Sequence, residues 1–262
     1  MDAWLVSGTA VAGLIIGGVL DPLGQRLADE SRAEDDRRRA EQRAGSGAAG
    51  EPGPDGGPGP DAAGPVRHLL PAGSSPTRTV GAGLVTAVLF AGAAVHFGRD
   101  LVLAPFCVFF ALLVVVSVTD LSHRLVPRRL LYGALALIVP LLVASAAADH
   151  RWHDLAGAAI AGAVSFGVFF ALWWFVPRGI GFGDVRLAGV IGITVGFLSL
   201  LHAYVAFLAG FVVGLVFGVV MMVVSSSGRR TRIPFAPSLA AGAAIAVYWG
   251  GPVAQHLFHA GS

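Results

Sequence analysis

Asp120 closes an apolar run and opens Asp120-Leu121-Ser122-His123-Arg124-Leu125-Val126-Pro127; Asp184 follows Gly179-Ile180-Gly181-Phe182-Gly183 and starts the next apolar run. A carboxylate beside a bilayer is costly unless it faces water, a partner or a substrate. Two such acids, each beside a Pro or a Gly cluster, suit amide hydrolysis at a membrane surface. One carboxylate takes a proton from water, while the other, protonated, polarises the carbonyl and later protonates the leaving amine. Close like charges resist double ionisation, so such a pair shares a proton and titrates as a unit. That chemistry requires neither a metal nor a nucleotide cofactor. Taken alone, either acid is equally well explained as a solvated interfacial carboxylate.

The elements that must position these acids follow from composition. Hydrophobic residues make up 55% of the chain and charged residues 13%, too apolar for an ordinary soluble domain. The apolar residues come in eight blocks, at 4–20, 80–97, 101–118, 130–148, 155–176, 185–200, 203–224 and 235–250. Each is long enough to cross a hydrocarbon core of about 30 Å. Because lipid leaves backbone polar groups unsatisfied, such spans must be helices. The expectation is an all-α polytopic membrane protein with about eight transmembrane helices. The sixth and seventh blocks are divided only around His202. The first lacks a basic leader and a small-residue cleavage site, so it reads as a retained helix.

All basic residues are arginine, and the segments after spans one, three, five and seven hold 8, 3, 2 and 3 of the 18. Arg99 and Arg151 fall on the other side. Positive charge marks the cytoplasmic side, which places both chain ends outside and Asp120 and Asp184 on the cytoplasmic face. Three segments result: a first helix over 1–20, a cytoplasmic loop over 21–78, and a seven-helix membrane unit over 79–262. Within the loop, 25–43 is rich in Ala, Glu and Arg and reads as a solvated extension of the first helix. Residues 44–65 are a Gly, Pro and Ala linker that cannot bury a core.

Other signals carry less chemistry. A nucleotide-loop reading of Gly179, Gly181 and Gly183 fails, because such loops need a βαβ unit; the glycines read instead as a conformational device that delivers Asp184 to a wet pocket. Cys107, the single cysteine, reads as a small mid-span hydrophobe. His150, His153 and Asp154, like His256 and His259, lack a complete ligand set, so no metal site is expected. Gly210, Gly214 and Gly218 have the spacing for close helix packing. Trp152, Trp173, Trp174 and Trp249 fit an interfacial aromatic belt.

In combination, the acids and their surroundings resemble the type IV prepilin peptidase family, eight-span aspartic proteases of the GxGD kind. The carrying residues are Asp120 with Pro127, the loop Gly181-Phe182-Gly183-Asp184, Arg232-Ile233-Pro234-Phe235-Ala236-Pro237 before the last span, and Gly13-Leu14-Ile15-Ile16-Gly17-Gly18 in the first. The resemblance implies that Asp120 and Asp184 are the catalytic pair and that Gly181, Gly183 and Arg186 form the active-site loop. It also implies structural or substrate roles for Pro127, Pro234, Phe235 and Pro237. Arg186 stands where the family often has Lys, Ala236 where it commonly has Gly, and Arg128 where it has Asn. Many members carry paired cysteines in the first loop, associated with methylating the new amino terminus; this loop has none, so methylation is not implied.

The implied substrate is a prepilin or pseudopilin with a short basic leader and a hydrophobic helix. It would be cut on the cytoplasmic side of a bacterial plasma membrane, just before that helix. The implied surroundings are the lipid bilayer and pilus or secretion machinery, with no nucleic acid. Two rivals remain. A signal-peptide-peptidase-type intramembrane protease places its first aspartate after Tyr within a span, whereas Thr119 precedes Asp120 here. A transporter or pilus-assembly subunit would use the acids as an ion site or not at all, yet mid-membrane acids are absent.

Overall fold

The computed structural model describes residues 3–46, 76–123, 127–176, 181–224 and 235–259. These form α1 (Ala3–Ser46), α2 (Pro76–Phe97), α3 (Leu103–His123), α4 (Arg128–Ala148), α5 (Trp152–Phe175), α6 (Phe182–Gly196), α7 (Leu200–Val224) and α8 (Ala236–His259). One helix corresponds to each apolar block. Large apolar side chains such as Val88, Val164 and Leu215 are more than half exposed on the outer surface, where lipid, not water, is the solvent that suits them. The chain is an all-α polytopic membrane protein.

Against the expected eight crossings, six helices are long and apolar enough, within the described residues, to span a membrane: the start of α1, then α2, α3, α4, α5 and α7. The 15 residues of α6 rise only about 22 Å, short of the core thickness. This helix lies inside the bundle, with Val185, Leu187, Val190, Ile191 and Val195 buried.

α1 continues without interruption past Leu20 and through Pro22 to Ser46, so the solvated extension is helical and joined to the first span. The sixth and seventh blocks divide three residues earlier than expected, at Phe197–Ser199 rather than His202. Ser199 is the reason: its Oγ accepts from the His202 N–H at 3.1 Å, an N-cap for the first turn of α7.

Small residues set which helices lie together. Gly13 and Gly17 of α1 meet Ala87, Thr86 and Gly83 of α2; Gly192 and Gly196 of α6 meet Ala161, Ser165 and Ala158 of α5; Gly242 of α8 meets Ala206 and Gly210 of α7. Gly210 and Gly214 thus do pack against a neighbour, the neighbour being α8. At Gly242 a Cβ would overlap the Ala206 carbonyl and the Gly210 backbone. Gly242→Ala is therefore expected to destabilise the folded protein by about 1–3 kcal/mol, as overpacking does. A thermal unfolding midpoint in detergent equal to wild type would contradict that.

At the end of the bundle away from the aspartates, an aromatic layer joins α2, α3 and α8. Tyr248 stacks on Phe110 at 5.5 Å and donates from its hydroxyl to the Leu89 carbonyl at 2.6 Å. α3 is wedged among α1, α2, α4, α6 and α8, which brings its last turn to the centre of the opposite end.

Candidate active site

Asp120 lies in that last turn of α3, and Asp184 in the first turn of α6. Both are buried, at 6% and 9% exposure. α3, α6 and α8 touch one another pairwise, and two helix N-termini meet the two carboxylates. At the start of α8 the N–H groups of Ser238 and Leu239 already bond back to the Phe235 carbonyl. The Ala236 N–H is a first-turn donor with no partner in its own helix. It donates to Asp120 Oδ2 at 3.2 Å.

At the start of α6 the Asp184 side chain folds back, and its Oδ2 accepts from the Gly181 N–H at 3.2 Å. This is the acidic half of a capping box; glycine has no side chain to return the bond. Gly181 has φ −78° and ψ 145°, extended backbone open to any residue. The expectation that strained glycines deliver Asp184 therefore does not hold at Gly181. Gly183 is an ordinary residue in the first turn of α6. Small size is what Gly181 contributes, since a Cβ there would already stand 3.4 Å from Asp184 Oδ2. Gly179 lies outside the described residues.

The acids act on one another. Asp184 sits ahead of the apolar run that begins at Val185. Burial first, and the neighbouring charge of Asp120 second, push its carboxyl up to about 7, against the lowering effect of the Gly181 N–H. This is the arrangement in which one of two carboxyls keeps a proton near neutrality.

The other residues singled out in the sequence have more structural surroundings. Pro127 is the buried N-cap of α4, its carbonyl accepting from the N–H groups of Leu130 and Leu131. The Arg186 guanidinium lies over the rings of Phe182 at 4.5 Å and Tyr132 at 5.8 Å, tying α6 to α4. Phe235 packs on Phe169 and Phe211, and Pro237 borders a surface groove beside α3. Pro234 lies outside the described residues. Asp154, at the far end, accepts from Arg151 Nε at 2.7 Å. Among the described residues no three His, Cys, Asp or Glu side chains group as metal ligands.

Sequence reading missed a second polar cluster at the aspartate end. Asp21, only 1% exposed, accepts from Gln25 Nε2 and Thr79 Oγ1, each at 2.9 Å. Arg78 stands 4.0 Å from the same carboxylate and donates from Nη1 to Ser122 Oγ at 2.6 Å. A lone Asp at the end of the first apolar block was the available signal. Its distant partners Arg78 and Thr79, 57 and 58 residues away on α2, were not legible.

Residues 107–219 match the type IV leader peptidase family. They belong to it. The prepilin leader peptidase/N-methyltransferase of Bacillus subtilis (strain 168) is 37% identical over 173 residues, 64% of this chain and 64% of that protein. Those of Pseudomonas aeruginosa and Xanthomonas campestris pv. campestris are 29% identical over 179 residues and 28% over 172. These matches cover 66% and 64% of this chain but 58% and 57% of the relatives. The chain thus spans less than two thirds of the length of the curated relatives it matches. No solved structure matches. The leader peptidase segment contains Asp120, Pro127, Gly181, Gly183, Asp184 and Arg186. Phe235, Ala236 and Pro237, and the Asp21–Arg78 cluster, lie outside it.

Proposed function

We propose that the chain is a membrane aspartic endopeptidase that removes the leader peptide of a prepilin-like protein. The carrying observation is the pair of buried carboxylates, Asp120 and Asp184, each held by a helix-terminal N–H, with the charge of Asp120 helping to raise the Asp184 carboxyl. The names of the relatives point to the same substrate class. Asp184, the group with the raised affinity for a proton, hydrogen-bonds the scissile carbonyl oxygen. Asp120 takes a proton from water as its oxygen bonds to the carbonyl carbon. The C–N bond then breaks, and the amine leaves with a proton returned by the pair. The two N–H donors keep both carboxyls aimed into the same space without supplying a charge that would strip the proton.

The excess of arginines on the aspartate side supports a cytoplasmic-facing site in a bacterial plasma membrane. The detergent-solubilised chain, incubated with a prepilin-type protein bearing a short basic leader and an apolar helix, should release the leader. Failure on a substrate that the Pseudomonas aeruginosa relative processes in parallel would refute the proposal.

Methylation is expected to be absent, although the relatives are named for both activities. The 21–78 segment contains no cysteine, so the paired-cysteine module has no counterpart there. Mass spectrometry of the mature product after incubation with S-adenosylmethionine should show a free amino terminus. Stoichiometric N-methylation by the purified chain would overturn this.

A further inference from the structure

α2, α3 and α8 leave an open groove of about 530 Å³ on the surface of the bundle. Its walls are apolar: Val85 and Leu89 of α2, Val114 and Val118 of α3, Ala241 and Ala244 of α8. From Arg78 to Leu89 it runs along α2 for about 16 Å, roughly half the hydrocarbon core. Its far end is the Tyr248–Leu89 bond. Its near end approaches the site: Ser117 stands one turn of α3 before Asp120, and Pro237 follows Ala236, whose N–H holds Asp120.

We propose that this groove receives the apolar membrane-spanning helix of the substrate and holds the chain just ahead of that helix against Asp120. The proposal rests on the prepilin-type reading of the site, which requires an occupant that is helical in lipid and extended at the bond to be cut. Three features fit that occupant. Gly81, Ala241 and Ala244 are small, and small residues let a membrane helix approach closely where lipid supplies no hydrophobic drive. The groove ends about one turn of α3 short of Asp120, so a helix seated in it leaves the chain just ahead of its first residues near that carboxylate. At that end stands Arg78, fixed by Asp21 and Ser122, with a buried Nε that has no acceptor among the described residues. The Arg78 side chain is still 34% exposed, and the free backbone carbonyls of an extended segment entering the site are acceptors for its guanidinium; a lipid tail carries none.

A second groove, of about 360 Å³ between α1, α3 and α4, supplies the comparison. Its α3 wall ends at Val115, and α8, whose first N–H holds Asp120, contributes nothing to it. Gly81 lines the first groove and Gly133 the second, and each has open space where a Cβ would stand. A side chain at either position therefore starts in open space beside its own groove.

Gly81→Phe should raise KM for a vesicle-embedded prepilin-type protein by about tenfold with kcat nearly unchanged, the pattern of lost binding that is uniform along the reaction. The same variant should cut a short soluble peptide, carrying the leader and cleavage sequence but ending before the helix, as wild type does. Gly133→Phe should match wild type on both. An unchanged KM in Gly81→Phe, an equal loss on the soluble peptide, or a KM effect in Gly133→Phe instead would each overturn the groove assignment. A readout independent of activity separates this from the prepilin reading itself. With a cysteine in the substrate helix, oxidative cross-linking should capture Ala241→Cys, even when Asp184 is also changed to Asn. The wild-type chain, whose only cysteine is Cys107 in the second groove, should give no adduct. Equal adducts from both, or none from Ala241→Cys, would refute docking. Absent cleavage by wild type, with the Ala241→Cys adduct intact, would fault the peptidase reading alone.

Discussion

Asp120→Asn and Asp184→Asn are each expected to abolish leader cleavage while leaving folding and membrane insertion near normal. Asparagine keeps the size of the side chain, and its carbonyl oxygen still accepts from the Ala236 or Gly181 N–H. What it loses is the proton that can be taken up and given back. General acid–base catalysis contributes about 10²–10⁴-fold, and a pair that shares one proton works as a unit, so each single variant should lose at least that much. Removing a buried charge opens no cavity, which keeps the stability cost small and the comparison interpretable. Asp154→Asn, whose carboxylate is engaged by Arg151 at the opposite end of the bundle, is the control and should cleave normally. Leader cleavage assayed with equal amounts of detergent-solubilised protein decides the matter. Near-wild-type turnover in either dyad variant would end the aspartic-protease assignment.

Cleavage should also be lost on the alkaline side of neutrality, by about tenfold per pH unit once the shared proton has gone. The sign follows from the direction of the shift. Burial and the charge of Asp120 raise the Asp184 carboxyl to about 7, so below that pH it holds the proton that the carbonyl oxygen needs, and above it the acid form disappears. An aspartate at its ordinary value near 3.9 would be protonated in only about one molecule in a thousand at pH 7. The raised affinity is what lets the site work near neutrality at all. On the acid side, protonating the second carboxyl removes the base, and the profile of kcat/KM is bell-shaped with both limbs belonging to the pair. A profile flat from pH 6 to 9, or an alkaline midpoint close to 4, would show that the carboxyls do not share a proton in the way the geometry implies.

Much of the architecture was legible because the solvent is lipid. Apolar blocks of about twenty residues have no other stable form than helices, so the order of α1 to α8 and the placing of Asp120 and Asp184 at helix ends could be read directly. The extension of α1 through Ser46 was legible from its Ala, Glu and Arg content. The capping serine at Ser199 was overlooked in favour of the polar His202, and that shifted one boundary by three residues.

What hydropathy could not decide is which face of each helix is buried, because lipid and protein interior are equally apolar and the usual amphipathic stripe disappears. For that reason hydropathy did not distinguish α6, which is short and nearly enclosed by its neighbours, from the lipid-facing helices. Helix neighbours are chosen by shape, as at Gly192 against Ala161 and Gly242 against Gly210, and shape complementarity between distant segments is not written in either segment alone. The same holds at the site. The sequence by itself determined that two carboxylates would stand at helix ends on the arginine-rich side. Tertiary structure decided that α3, α6 and α8 converge there, that the Ala236 N–H, unpaired within its own helix, holds Asp120, and that Asp21 fixes Arg78 beside an apolar groove. Each of those contacts joins residues that only the packing of helices brings together.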